Sequence, residues 1–170
     1  KKLIEIYTQC LEIYDEGMRY LREERGLNSD TIKKYNIGWD EKHKRYSIPV
    51  FDEAGNVANI RLYSPKPGKD QPKIINFVSK DGKWKYGSPA RLYSLYDLLR
   101  DGERVIICEG EWDRLLLQQE GFMTVTGTHG CAKFMMEWVK FFENKDIILI
   151  YDNDPPGQKA VQEIVLPAFQ

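Results

Sequence analysis

The chain has 170 residues, 42% of them hydrophobic and 30% charged, with a net charge of −1; that is enough apolar content for a real core, in one domain or two small ones. Cys10, Cys108 and Cys131 are odd in number and far apart, which argues against a disulfide framework and offers no Cys-X-X-Cys zinc site. No apolar run approaches the length of a membrane span, and the start lacks the shape of a signal peptide, so a cytoplasmic protein with no membrane partner is the expectation.

In chain order, Leu3, Ile4, Tyr7, Cys10, Leu11 and Tyr14 recur at helical spacing on a polar background and predict a packing helix. Residues 17–25 read as a second helix, stopped by Gly26. Ser29 offers an N-cap for a short helix through Tyr35. The chain then turns to strand: residues 46–51 and Val57–Tyr63 are apolar-rich and flank Asp52-Glu53-Ala54-Gly55-Asn56, a hairpin signal. Residues 64–72, rich in Pro, Gly and Lys, predict an exposed loop, and residues 73–77 a third strand. Trp84 and Tyr86 stand among lysines, where the rings either stack on single-stranded bases or pack in a core. Residues 93–99 read as a helix linking two lobes.

Val105-Ile106-Ile107-Cys108 is a β-branched run that stops at Glu109-Gly110-Glu111-Trp112-Asp113, the pattern of a buried strand running into a helix. A helix over 113–120 is closed by Gly121, followed by a strand over 123–126 and the turn Gly127-Thr128-His129-Gly130. A helix over about 131–143 leads to a strand over 147–151, which stops at Asp152-Asn153-Asp154 and then Pro155-Pro156-Gly157. Parallel strands joined by right-handed crossovers place their carboxyl ends on one edge of the sheet, where ligands of open α/β sheets bind. Glu109, Asp113, Asp152 and Asp154 are therefore expected in one crevice.

Clustered carboxylates hold either protons or a cation. An oxygen-only donor set favours Mg²⁺ or Mn²⁺, bound through a few carboxylates plus substrate phosphates. The chemistry implied is metal-assisted phosphoryl or nucleotidyl transfer, with Glu109 as the general acid/base candidate. Each acid also has a plainer reading: Asp154 before two prolines as an N-cap, Glu111 and Asp113 as first-turn acids favoured by the helix dipole. His129, in a glycine-flanked loop whose amides suit a phosphate, either contacts substrate or is a polar loop residue. From Lys42 to Arg91 there are 11 Lys/Arg against 4 Asp/Glu, while Val105 to Gln170 has 5 against 10. A basic surface beside an acidic site suits a polyanion, and a solvated lysine-rich β surface gives the same count.

The strings VIICEGEWDRLLL, GTHG and IILIYDNDPPGQKA resemble a Toprim domain, the catalytic module of DnaG-type primases, topoisomerases and some nucleases. Glu109-Gly110, Asp152-Asn153-Asp154, Gly157 and Ala160 match its signatures, and the Glu-Gly-Glu-X-Asp form is similar to that of phage primase-helicases. YLREERGLNSDTIKKYNIGW resembles the opening of the primase RNA-polymerase core, its positive side chains touching nucleic acid or solvent. Arg45, Arg61, Lys73 and Leu92-Tyr93-Ser94-Leu95 match later positions of that core.

The resemblance implies an α/β fold: a Toprim-like parallel sheet with flanking helices over 104–170, stopping short of a further strand, preceded by a smaller α+β basic subdomain over 1–103. It implies Glu109 and Asp113 as catalytic residues and Glu109, Asp152 and Asp154 as ligands of Mg²⁺ or Mn²⁺. Arg45, Arg61, Lys73, Gly110 and His129 are implied to face nucleic acid or nucleotide. The function implied is a DNA primase core that makes short RNA primers on single-stranded DNA from ribonucleoside triphosphates, alongside a fused or separate replicative helicase. The alternatives are a Toprim nuclease or topoisomerase, and a non-catalytic single-stranded-DNA-binding module of a helicase. The chain contains no Walker A sequence and no zinc ribbon.

Overall fold

The structure is a computed structural model that describes residues 1–78, 89–100, 102–130 and 133–170. Trp84, Tyr86 and Cys131, singled out above, lie outside the described residues. Two compact units divide the chain: Lys1–Phe51 with Asn56–Ser88, and Asp52–Gly55 with Pro89–Gln170.

The first unit is an antiparallel sheet with helices. Helix α1 (Lys2–Glu12) buries Ile4, Tyr7 and Leu11, three and four residues apart, and Ile4 packs on Ile60 and Leu62. Each such aliphatic burial stabilises by about 1.5–3 kcal/mol. The helix expected over 17–25 comes in two pieces: α2 (Asp15–Arg19) runs into a π-helical turn at Tyr20–Glu24, where the Arg25 amide reaches the Tyr20 carbonyl five residues back at 3.2 Å. Gly26, at φ +68°, ends it as a helix-stop glycine does. Helix α3 (Ser29–Lys34) is capped by Asn28 rather than Ser29: Asn28 is extended, and its Oδ1 accepts the Thr31 amide at 2.8 Å. Strands β1 (Gly38–Asp40), β2 (Arg45–Phe51), β3 (Val57–Tyr63) and β4 (Ile74–Asn76) pair antiparallel in that order. The β2–β3 turn has Gly55 at φ +79°, with Asp52 accepting the Ala54 amide through Oδ1 and the Gly55 amide through its carbonyl, both at 3.0 Å.

The second unit carries a sheet ordered β5 (Leu92–Tyr93), β7 (Thr124–Gly127), β6 (Arg104–Cys108), β8 (Asp146–Ile150). The last three are parallel to one another and β5 is antiparallel to β7. The helix expected over 93–99 is thus a two-residue strand followed by α4 (Leu95–Leu98). Ser94 separates them at φ +76°, its hydroxyl donating to Asp97 Oδ2 at 3.1 Å. Helix α5 (Glu111–Gln119) links β6 to β7 and stops before Gly121 at φ +89°.

Between β7 and β8 the expected α-helix is a 3₁₀ helix, Met136–Phe142. Bulky aromatic and β-branched residues are weak helix formers, and here packing overrides them: Phe134, Trp138, Phe142 and Phe169 meet with ring centroids 5.3–6.1 Å apart. The core on this side gathers Leu92, Leu98, Val105, Ile107, Val125 and Trp138. Strand β8 ends the sheet order, and its residues alternate in exposure, so Ile148 and Ile150 remain 41% and 45% exposed while Ile147 and Leu149 are partly buried; the strand read as buried is only partly so, on one face. Beyond it come α6 (Pro155–Ala160), a second π turn (Val161–Val165) and α7 (Leu166–Ala168). Among the described residues no helix is long and apolar enough to cross a membrane.

Candidate active site at the carboxyl edge

β6 and β8 lie side by side and end level, with Cys108 opposite Ile150. The acidic segments after each strand therefore leave the sheet together. Glu109, half-buried, turns its Oε2 to the backbone amide of Asp152, which donates to it at 3.2 Å. Asp113 is exposed in the first turn of α5 and folds back over Gly110: a β-carbon added to Gly110 would stand 2.8 Å from its Oδ2. Gly110 is in extended backbone (φ −127°, ψ 157°), so glycine here supplies room and not conformational freedom.

Asp154 caps α6, its Oδ1 accepting the Gly157 amide at 2.8 Å, so its N-cap reading holds. Gly157 closes that turn onto Asp152, whose carbonyl oxygen would be 2.4 Å from an added β-carbon. A depression of roughly 230 Å³ adjoins Asp152, lined by Tyr151, Asn153 and Gln158 among others.

Among the described residues no three of His, Cys, Asp and Glu form a cluster that would cage a metal ion. What the fold brings together is Glu109 and the start of the Asp152-Asn153-Asp154 segment. Mg²⁺ does not require a closed cage, because it keeps several waters and takes one or two carboxylates plus substrate phosphates. Oxygen-only donors, Glu109 half-buried and Asp152 and Asp154 exposed, at the carboxyl ends of the strands fit an ion of that kind.

His129 lies past the end of β7, on the same edge as β6 because those strands are parallel. It is exposed, with Nδ1 3.4 Å from the hydroxyl of buried Thr128, which in turn accepts the Arg91 amide at 3.0 Å. Burial pushes the Cys108 thiol up to about 12, consistent with an inert core cysteine.

The basic residues sit in the first unit. Arg45 is 5% exposed and donates to three backbone carbonyls: Leu62 at 3.3 Å and Lys73 at 3.1 Å through Nη1, Pro72 at 3.0 Å through Nη2. Arg61 is 7% exposed and donates to Asn76 Oδ1 at 2.9 Å, which also accepts the Asn59 side-chain amide at 2.7 Å. Lys73 is exposed, its Nζ 5.7 Å from the centre of the Tyr63 ring. Arg25, marked in the sequence only as one of the positive side chains of the primase-like opening string, lies over that same ring, and Arg114, which went unremarked, is fully buried. Arg25 stands one residue before a helix-stop glycine, but nothing in a charge count separates it from its solvated neighbours.

Fold and site together define a Toprim-like α/β domain, and residues 106–167 match the Toprim-like family. The chain is a relative of the Toprim-domain, DnaG-type primases. It is 30% identical over 151 residues to the DNA primase of Pseudomonas aeruginosa, covering 84% of this chain and 21% of that protein. Its fold is similar to that of the Aquifex aeolicus primase zinc-binding and RNA polymerase domains, at TM-score 0.79, 19% identity and coverage of 99% of this chain and 50% of that one. The primase fragment of the bacteriophage T7 primase-helicase is also similar, at TM-score 0.60 and 24% identity, with 82% and 56% covered. The chain thus spans about a fifth of the length of the curated Pseudomonas relative.

Proposed function

We propose that this chain is the catalytic core of a DNA primase, which builds short RNA primers on single-stranded DNA from ribonucleoside triphosphates. The observation that carries the reading is the Glu109 carboxylate set against the Asp152 amide at the level ends of two parallel strands. In this reading Glu109, Asp152 and Asp154 hold Mg²⁺ or Mn²⁺. A divalent ion held there would neutralise triphosphate charge and polarise the phosphorus under attack. Glu109 takes the proton of the attacking 3′-hydroxyl as the new O–P bond forms and pyrophosphate leaves. Asp113, over Gly110, orients the same edge, and Gly110 and His129 lie toward the nucleotide.

The basic first unit holds the template, and its likeness to primase cores supports synthesis over the strand cleavage of a Toprim nuclease. A cytoplasmic protein working with a replicative helicase, fused or separate, completes the reading. In a primer-synthesis assay with single-stranded DNA, ribonucleoside triphosphates and Mg²⁺ or Mn²⁺, Asp152→Ala is expected to abolish product while the circular dichroism spectrum stays that of the parent. Full synthesis by that variant would refute the assignment.

A further inference from the structure

The loop after β7 holds a histidine whose ring proton is placed by its neighbour. Thr128, one residue past β7, is 1% exposed and extends the β5–β7 pairing, its amide donating to the Arg91 carbonyl at 2.9 Å. The Arg91 amide in turn donates to the Thr128 hydroxyl oxygen at 3.0 Å. Among the described residues the other hydrogen-bond partner of that hydroxyl is His129 Nδ1, at 3.4 Å. His129 itself is exposed, at the carboxyl end of a strand parallel to β6.

A threonine hydroxyl has one proton to give and two lone pairs with which to accept. A backbone amide can only donate, so the bond from Arg91 occupies a lone pair and leaves the hydroxyl proton to be placed. With the ring proton on Nδ1, the hydroxyl would accept twice and its own hydrogen would have no acceptor at a site closed to water. An unmade bond from a buried donor is the costlier outcome. With the ring proton on Nε2, Nδ1 accepts from the hydroxyl and both groups are satisfied. A neutral imidazole carries a single N–H, and the bond made by one nitrogen decides the state of the other.

We propose that Thr128 is a positioning residue that fixes neutral His129 in the tautomer protonated at Nε2, so that the loop presents an uncharged hydrogen-bond donor to the nucleotide. The ligand rests on the primase reading; the tautomer rests on the Thr128 hydroxyl alone. An uncharged donor suits this edge, because it reaches a substrate oxygen without pairing with Glu109 or Asp152 as an ammonium or guanidinium would.

Long-range proton–nitrogen correlation spectra of the isotope-labelled 170-residue chain test this with neither nucleotide nor metal present. They are recorded at about pH 8.5, well above the ordinary imidazole value of about 6.5. The chain has two histidines, and His43→Gln assigns the signals of the other. The parent is expected to show His129 protonated at Nε2 with Nδ1 at the shift of an acceptor nitrogen. Thr128→Val keeps the shape and removes the hydroxyl, and is expected to move both nitrogens toward the averaged positions of an unconstrained ring; Thr128→Ser is expected to keep the parental pattern. In primer synthesis His129→Ala is expected to lose on the order of 100-fold in rate, and Thr128→Val several-fold. Adding Thr128→Val to His129→Ala is expected to cost nothing further, as for two residues acting through one group. A parent unable to make primers would refute the primase reading, whereas the spectra decide the tautomer without substrate. If Thr128→Val melts early, the parental spectrum and Thr128→Ser decide. A ring protonated at Nδ1 in the parent, an unmoved pattern in Thr128→Val, or losses that add in the double variant would each overturn the assignment.

Discussion

Gly110 and Gly157 are where single atoms set the geometry of the carboxyl edge. At Gly110 an added β-carbon would meet Asp113 Oδ2 at 2.8 Å and push the carboxylate off its place. Displacing a positioned group by about an ångström costs on the order of 100-fold in rate. Gly110→Ala is therefore expected to lose about that much primer synthesis while its melting temperature changes little, because the obstacle is a mobile side chain. At Gly157 the obstacle is backbone, the Asp152 carbonyl oxygen at 2.4 Å. The sequence showed both glycines as parts of motifs, yet the reason for each is an approach between atoms that no string displays. Arg45 makes the same point: its position in the chain marked it as basic, while its partners mark it as a clamp.

Helix α6 joins two demands on one residue, since Asp154 caps it and also stands among the proposed metal ligands. Asn caps as well as Asp, whereas Ala costs about 1 kcal/mol. Asp154→Ala is thus expected to lose about 1 kcal/mol in urea unfolding and Asp154→Asn almost nothing, while both lose primer synthesis. An Asn variant with parental synthesis would leave Asp154 as a cap alone.

A second joint ties α4, α5 and β7 through Arg114. Its Nη2 pairs with Asp97 Oδ2 at 3.1 Å, its Nε donates to the Thr124 carbonyl at 3.2 Å, and its guanidinium carbon lies 4.8 Å from the Tyr93 ring centre. Removing Asp97 takes away the carboxylate paired with the buried Arg114 guanidinium, at a cost of about 3 kcal/mol; denaturant unfolding of Asp97→Ala measures it. Regular elements such as α1, β2, β3 and β6 were legible because their apolar period is written in the chain. The 3₁₀ helix, the π turn at Tyr20–Glu24 and the short antiparallel β5 were not, because each is imposed by partners elsewhere.

Over the whole molecule, buried ionisable groups predict how stability depends on pH. Burial raises Cys108 from an ordinary 9.0 to about 12, and it raises Tyr7 and Tyr46 as well, with Asp40 adding to the effect at Tyr7. A raised acid favours its protonated form in the folded state, so the contribution of Cys108 is whole below about 9 and is lost as pH climbs toward about 12. Stability is expected to fall across that window, and Cys108→Ala to make the fall shallower in chemical unfolding followed against pH. The chain by itself determined the order of its main elements and the chemistry at its strand ends, because hydrophobic period and residue type are local properties. Only tertiary structure decided which charges stay exposed and which brace the fold. The partners that decide it for Arg45 lie 17 to 28 residues away, and a hydrogen bond is settled by distance in space, not along the chain.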